Sequence, residues 1–402
     1  MITCRSCSGN KVEQVLDLGE QPWGNDFIKI DDFQICEKYP LRLFFCHSCS
    51  MVQIDYTVPK EKMFVDHSYM SGTTKSLKNH FVDIGKSILE KFDIENGCVL
   101  DIGGNDGTFL EFFDEKNIKV LNVESGLHQA EQSSLKGIET YNTFFNFDTA
   151  QDIEKKYGPI KIIHGSGVLF HLEELHSVFR GIEYLLGKNG ILVAEFIYLP
   201  DMVKNCAYDQ IYHEHLLYYS LNSFQNLLDQ FNLEVFDAQL KPIHGGSCIA
   251  YIAKKNTYNK TTNLQKLILS EYNLKVNDID IYKKFASNSF MHKKIMQKLI
   301  YDLKQSNKTI HALGAPVKGS TIINFCEINE EQIDCAVEIN PHKFNTFIPG
   351  TKIPVYDESK VDQPDVYLLL AWNFTEEILP RFEEFRSNGG QFIIPIPTPK
   401  LV

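Results

Sequence analysis

No run of about 18 or more apolar residues occurs anywhere in the 402-residue chain, so no membrane-spanning helix is expected. The opening Met1-Ile2-Thr3-Cys4-Arg5 has no apolar stretch of the kind a secretory leader needs, and none is expected. Positive charge is also scarce. Forty Lys and Arg face 52 Asp and Glu, for a net charge of −12, and broad nucleic-acid binding needs a cationic face. The lysines between Lys254 and Lys308 are separated by acidic and apolar residues, as on a solvated helical face. Low-complexity segments and short repeats are missing, and 43% hydrophobic with 23% charged residues leaves no room for long disordered tails. The ten cysteines, without an export signal, point to thiolates rather than disulfides and to the cytoplasm.

What is present divides into three parts. A chain of 402 residues exceeds a single hydrophobic core, so two or three domains are expected. Residues 1–65 hold short strand-like runs, Glu13–Gly19 and Tyr39–Phe45, with too little apolar surface to fold unaided. Apolar residues Leu77, Phe81, Ile84, Ile88 and Leu89 then recur at helical spacing. Strands Cys98–Ile102, Val120–Val123, Ile160–Ile163 and Ile191–Phe196 alternate with helices from there, the signature of a parallel sheet wrapped by helices. After a helical stretch over about 260–305, a second alternation follows with Thr309–Ala312, Ile333–Val337, Val366–Ala371 and Phe392–Pro395. The expected architecture is α/β: a small N-terminal domain (1–65), a Rossmann-like domain with helical segments (66–300) and a second Rossmann-like domain (301–402).

Cys4, Cys7, Cys46 and Cys49 form two Cys-x-x-Cys pairs with 38 residues between Cys7 and Cys46. This is the spacing of a tetrahedral zinc site, in which four thiolates leave no open position for water and the metal is structural. The other six cysteines lack such spacing and read as core residues.

Asp101-Ile102-Gly103-Gly104-Asn105-Asp106-Gly107 follows an apolar strand and precedes a helix, which is the context of a nucleotide-cofactor loop. The pattern is not G-x-G-x-x-G. Asp101 at its start and Asn105-Asp106 within it suit a cationic ligand better than a pyrophosphate. S-adenosylmethionine, with an ammonium and a sulfonium, fits, and Glu124 ends the next strand where a carboxylate can accept both ribose hydroxyls. An NAD-type loop or a plain βα turn are the alternatives. The densest polar cluster is Tyr208-Asp209-Gln210-Ile211-Tyr212-His213-Glu214-His215. A histidine beside a glutamate can act as a general base with the carboxylate orienting or charging it, and Tyr212 could hold a developing oxyanion.

Tyr212-His213-Glu214-His215, the four zinc cysteines, the Gly103/Gly107 loop, Gly314-Ala315-Pro316-Val317-Lys318-Gly319 and Leu370-Ala371-Trp372-Asn373-Phe374 occur together in one chain. In combination they resemble the sugar C-methyltransferases that add a methyl branch to nucleotide-linked 4-ketosugars, over nearly the whole length. The resemblance implies that His215 removes the proton from carbon 3, with Glu214 and Tyr212 as neighbouring active-site groups. His171 matches the histidine after the fourth strand, and Tyr69 an N-terminal tyrosine reaching the same pocket. His244, in His244-Gly245-Gly246-Ser247, matches a turn facing the substrate. The implied substrate is a nucleotide-diphosphate sugar, thymidine-linked in the first instance, handled by a monomer. In the C-terminal part Lys318 at a helix start suits a pyrophosphate, and Asn340 and Asn373 lie at strand ends by the same crevice. One segment departs from the family: His164-Gly165-Ser166-Gly167 stands where an asparagine-rich stretch is usual, beside cofactor and sugar, and bears on substrate preference and methylation position.

Two other functions fit less of the chain. An O- or N-methyltransferase of the same fold would need no carbon-acid base at His215. A zinc-ribbon module joined to an RNA-directed methyltransferase would need a basic zinc segment. Arg5, Lys11, Lys29, Lys38 and Arg42 are there outnumbered by Asp17, Glu20, Asp26, Asp31, Asp32 and Glu37.

Overall fold

A computed structural model describes residues 2–32, 36–65, 70–73, 75–94 and 97–402. Tyr69 lies outside the described residues.

Alternating burial over β1 (Val12–Pro22) and β2 (Lys38–Cys46) makes a half-buried antiparallel pair, extended by β3 (Val52–Ile54). The helix Lys75–Lys91 buries Leu77, Phe81, Ile84 and Ile88 of the stripe the sequence spacing predicts, with Leu89 partly buried. It lies over the central sheet, made of β4 (Cys98–Ile102), β5 (Lys119–Val123), β6 (Thr140–Tyr141), β7 (Ile160–Ser166), β8 (Leu186–Ile197) and two later strands. Strand β4 is buried at every position, as expected of a parallel strand covered on both faces.

After β8 the chain passes through the 208–215 cluster into β9 (Leu217–Tyr218), which does not join the central sheet. It pairs with β3 and completes the four-stranded N-terminal sheet, β1-β2-β3-β9. Strands β10 (Leu233–Lys241) and β11 (Ser247–Lys254) return to the central sheet, whose order is β10-β11-β8-β7-β4-β5-β6. Only β11 is antiparallel to its neighbours, inserted between β8 and β10. Order reverses at β4, between β5 and β7, and the crevice above the carboxyl ends of β4 and β7 is where such sheets bind ligands.

Helices Thr262–Leu274 and Ile279–Gln305 lead to the third sheet. It comprises β12 (Ile310–Leu313), β13 (Cys335–Glu338), β14 (Thr346–Phe347), β15 (Pro354–Asp357), β16 (Val366–Leu369), β17 (Gln391–Ile394) and β18 (Lys400–Leu401), in the order β14-β15-β13-β12-β16-β17-β18. Its five inner strands are parallel, and β14 and β18 close the edges antiparallel. The sequence pattern leaves out β3, β6, β9, β14, β15 and β18, which are only two to four residues long, and the β10–β11 hairpin, broken by a bulge between Val235 and Asp237. One apolar core runs through all three parts, from Leu41 and Phe45 through Tyr219 and Phe224 to Ile322 and Ile393. Among the described residues, no helix is long and apolar enough to cross a membrane.

Candidate active site

The four cysteines of the two knuckles converge. Their sulfurs lie within 4.8 Å of one another, with Cys4 to Cys49 at 3.5 Å and Cys7 to Cys46 at 3.7 Å. Zinc with sulfur ligands at about 2.3 Å needs tetrahedral sulfur spacings of about 3.8 Å, so the set fits that ion. Each knuckle is also held from the central domain. Asn226 Nδ2 donates to the Cys49 carbonyl (3.0 Å) and Gln230 Nε2 to the Ser6 carbonyl (3.1 Å).

At the switch point, the 103–107 loop turns tightly enough to require glycine. Gly107 has φ +76°, and a Cβ there would come within 2.6 Å of Ile138 and 2.9 Å of Ser133. Glu124 braces the loop: its two carboxylate oxygens accept from Asn105 N (2.8 Å) and Gly126 N (2.6 Å). Burial pushes its carboxyl up despite those amides. Asn105 and Asp106 face the chain rather than open space. Asn105 Oδ1 accepts from Ser71 N (2.9 Å), while Asp106 accepts from Thr108 Oγ1 (2.6 Å) and Gly72 N (3.2 Å) and lies 3.5 Å from Lys136 Nζ. Asp101 Oδ1 takes the Nδ1 proton of His164 (2.7 Å), whose buried ring stacks on Phe109 at 3.6 Å. Backbone exposed by glycine, with an acid at the end of the second strand, suits an adenosyl ligand.

His215 is buried, and its ring is set by neighbours on several sides. Nδ1 donates to the Gln210 carbonyl at 2.8 Å; because a carbonyl only accepts, the proton sits on Nδ1 and Nε2 is left to take one. The ring lies 3.8 Å from that of Tyr212, stacks with His171 at 5.1 Å and meets Phe170 edge-on at 4.7 Å. Burial, then the neighbouring His171, holds its pKa well below the usual 6.5, so the ring is neutral at physiological pH. Glu214 does not orient it. Its Oε1 instead accepts from Trp23 Nε1 (2.8 Å) and Asn25 Nδ2 (2.7 Å), on the loop after β1. The orienting group is thus a backbone carbonyl, which side-chain pattern does not reveal.

The C-terminal part meets the 208–215 segment from the other side. Lys318, after β12, bonds to Asn373 Oδ1, after β16, and lies 4.3 Å from the Trp372 ring centre. Burial brings its ammonium down to about 8, against the pull of Asp209. The Trp372 indole donates to buried Asp209 Oδ2 at 2.6 Å. His244 holds a left-handed backbone (φ 57°), its carbonyl accepts from Gln210 Nε2 (2.7 Å), and the adjacent Gly245 touches Trp372. Asn340 is the outlier: its Oδ1 caps its own turn by accepting from His342 N (3.1 Å).

Residues the motifs leave out complete the arrangement. Glu195, at the end of β8, accepts from His80 Nε2 (2.8 Å) and Ser166 Oγ (2.7 Å). Burial works to raise its carboxyl, but His80, Ser166 and His244 together hold it below the usual range. Asp209, Gln210, Trp23, Asn25 and Trp372 are the others. Scarcity was a usable signal for two of them. The chain has only two tryptophans, and both indoles donate to carboxylates of the 209–214 segment.

A doubly wound sheet with one inserted antiparallel strand, an acidic cofactor loop at its switch point and a four-thiolate zinc site define a Rossmann-like methyltransferase joined to a zinc-binding domain. Comparison with known proteins agrees. Residues 4–64 match a zinc binding domain model, 77–238 a methyltransferase domain model and 242–397 the C-methyltransferase C-terminal domain. The chain is 26% identical to the C-methyltransferase NovU of Streptomyces niveus over 404 residues, covering 99% of this chain and 96% of that one. Among solved structures, magnesium protoporphyrin IX methyltransferase from Synechocystis PCC 6803 with bound S-adenosylmethionine is similar over 44% of this chain and 79% of its own (10% identity, TM-score 0.35). A methyltransferase from Thermotoga maritima is similar over 44% and 92% (14% identity, TM-score 0.34). Likenesses that distant carry no weight here. With its three segments matched in order, the chain is an S-adenosylmethionine-dependent methyltransferase that carries a zinc-binding domain and a C-terminal part similar to that of C-methyltransferases.

Proposed function

We propose that this enzyme methylates carbon 3 of a nucleotide-diphosphate-linked 4-keto-deoxysugar through an enolate, with His215 as the general base. The observation that carries this reading is the state of His215: neutral, buried, with Nδ1–H tied to the Gln210 carbonyl and Nε2 left to take a proton. A proton beside a ketone is acidic enough for an imidazole when the enolate oxygen is stabilised in a water-poor pocket. In this reading Tyr212, its ring tilted 3.8 Å from that of the base, donates to that oxygen, and His171 and Tyr69 act in the same reaction. Bound S-adenosylmethionine supplies a methyl group electrophilic enough for a carbon nucleophile. Glu124 would hold its ribose and Asp101, Gly103, Asn105, Asp106 and Gly107 form the loop beside it.

In this reading Lys318 and Asn373 are suited to the nucleotide diphosphate, with His244 facing the sugar and Asn340 at the edge of the same crevice. The enzyme in this reading works as a cytoplasmic monomer divided at about residues 65 and 300, on a thymidine-linked sugar. The test is incubation with a thymidine-diphosphate 4-ketosugar in heavy water, with and without S-adenosylmethionine, followed by mass. Deuterium uptake at carbon 3 without cofactor, and gain of one methyl with it, are expected, both lost in His215→Ala. Methyl gain without exchange would place the methyl on oxygen or nitrogen and remove the carbon-acid base.

A further inference from the structure

The turn that carries the Gln210 carbonyl is held from outside at several points. Asp209, buried in the 208–210 turn, accepts the Trp372 indole proton at 2.6 Å. Its other oxygen, Oδ1, makes no hydrogen bond among the described residues, and burial pushes the carboxyl up against the attraction of Lys318 and the Trp372 bond. Two residues after Asp209, Thr321 Oγ1, on the helix Val317–Phe325, donates to the Ile211 carbonyl at 3.1 Å. Gln210 itself reaches the His244 carbonyl with its side chain, beside the point where Gly245 meets Trp372 at van der Waals limits: a Cβ there would come within 2.8 Å of the indole.

The Gln210 carbonyl is therefore not placed by the central domain alone. Two of the bonds that fix its turn, from Trp372 and Thr321, come from the C-terminal domain. We propose that Asp209 and Trp372 form a positioning pair that transmits docking of the C-terminal domain to the tautomer and orientation of His215. An undocked or rotated turn withdraws the carbonyl acceptor from Nδ1, and a neutral imidazole without that acceptor distributes its proton over both nitrogens. Any molecule bearing its proton on Nε2 then has no lone pair facing the pocket. The pair thereby makes base strength conditional on the domain that also carries Lys318 and Asn373. This inference rests on the role proposed for His215, and the test separates the two.

The full chain labelled with 15N-histidine is examined by two-bond proton–nitrogen correlation, with His215 assigned by the loss of its signals in His215→Gln. The wild type is expected to show His215 as a single Nδ1–H tautomer. Trp372→Phe, which keeps an aromatic ring and removes the donor, and Asp209→Asn are expected to give mixed tautomers in chains that remain folded, with a lowered thermal midpoint where Asp209 loses its donor. Exchange of the carbon-3 proton of a thymidine-diphosphate 4-ketosugar should fall roughly tenfold to a hundredfold in the same variants, the scale of loss for a misplaced catalytic group. A single Nδ1–H tautomer retained in folded Trp372→Phe overturns the proposal; that variant decides alone if Asp209→Asn does not fold. Mixed tautomers in the variants, with no exchange even in the wild type, uphold the positioning pair and remove the ketosugar reading instead.

Discussion

His215 and His213 are two residues apart, both buried and both kept neutral, yet they face different partners. His215 faces Tyr212 and His171, whereas His213 packs on Tyr39 and lies 3.4 Å from the Pro40 carbonyl of the N-terminal sheet. Their titrations make separate predictions. Because burial and His171 depress the His215 pKa, kcat/KM should keep its full value as pH falls through 6.5, and its acid limb should appear well below that point. A pH–rate profile with a midpoint at the ordinary histidine value would contradict the buried, neutral base. His213 affects stability. Burial lowers its pKa from 6.5 to about 4 in the fold, so on acidification the unfolded chain takes up the proton first. Its contribution is complete above pH 6.5 and is lost as pH falls toward 4, by about 3 kcal/mol at most. Urea unfolding of wild type and His213→Gln at pH 7 and pH 5 measures it: the wild type should lose more stability over that interval than the variant.

At the scale of elements, the 103–107 loop is rigid because its backbone and side chains answer one another. Asn122 Nδ2 donates to the Asn105 carbonyl (3.0 Å), Glu124 holds Asn105 N, and Gly107 opens the helix Thr108–Asp114 from a left-handed conformation. Alanine at 107 would be strained in φ and would also press on Ile138 and Ser133, so Gly107→Ala should cost about 1–3 kcal/mol and weaken S-adenosylmethionine binding. Denaturant midpoints and cofactor titration calorimetry read the two effects; an unchanged midpoint would mean that the loop relaxes freely. The loop's place between a strand and a helix was legible from its apolar flanks and its glycines. The partners of Asn105 and Asp106 were not, because Ser71, Gly72 and Lys136 come from segments more than twenty residues away.

Over the whole molecule, the zinc knuckles and the proposed base are mechanically linked. Cys46 ends β2, β2 pairs with β3, and β3 pairs with β9, which begins two residues after His215. The loop after β1 also supplies both donors to Glu214. Cys46→Ser, or removal of zinc by chelation, should therefore lower turnover by roughly tenfold or more, the scale of loss expected when a catalytic group is displaced. S-adenosylmethionine affinity should stay near the wild-type value, because the cofactor loop sits in the central sheet. Metal analysis should find one zinc per chain, and turnover that survives complete metal loss would break the link.

Pattern within short windows was sufficient for much of this protein. Two Cys-x-x-Cys pairs specify a thiolate metal site because each knuckle is local. Apolar strands alternating with helices specify two wound sheets because burial on both faces imposes long apolar runs. The glycine loop and the carboxylate after the second strand likewise follow from local backbone needs. Tertiary structure alone decided what surrounds His215. Its orienting acceptor is a backbone carbonyl, Glu214 answers to Trp23 rather than to its neighbour, and Asp209 answers to Trp372, 163 positions away. Contacts between domains depend on how three sheets dock through one continuous core, and adjacency in the chain says nothing about which way a buried side chain turns.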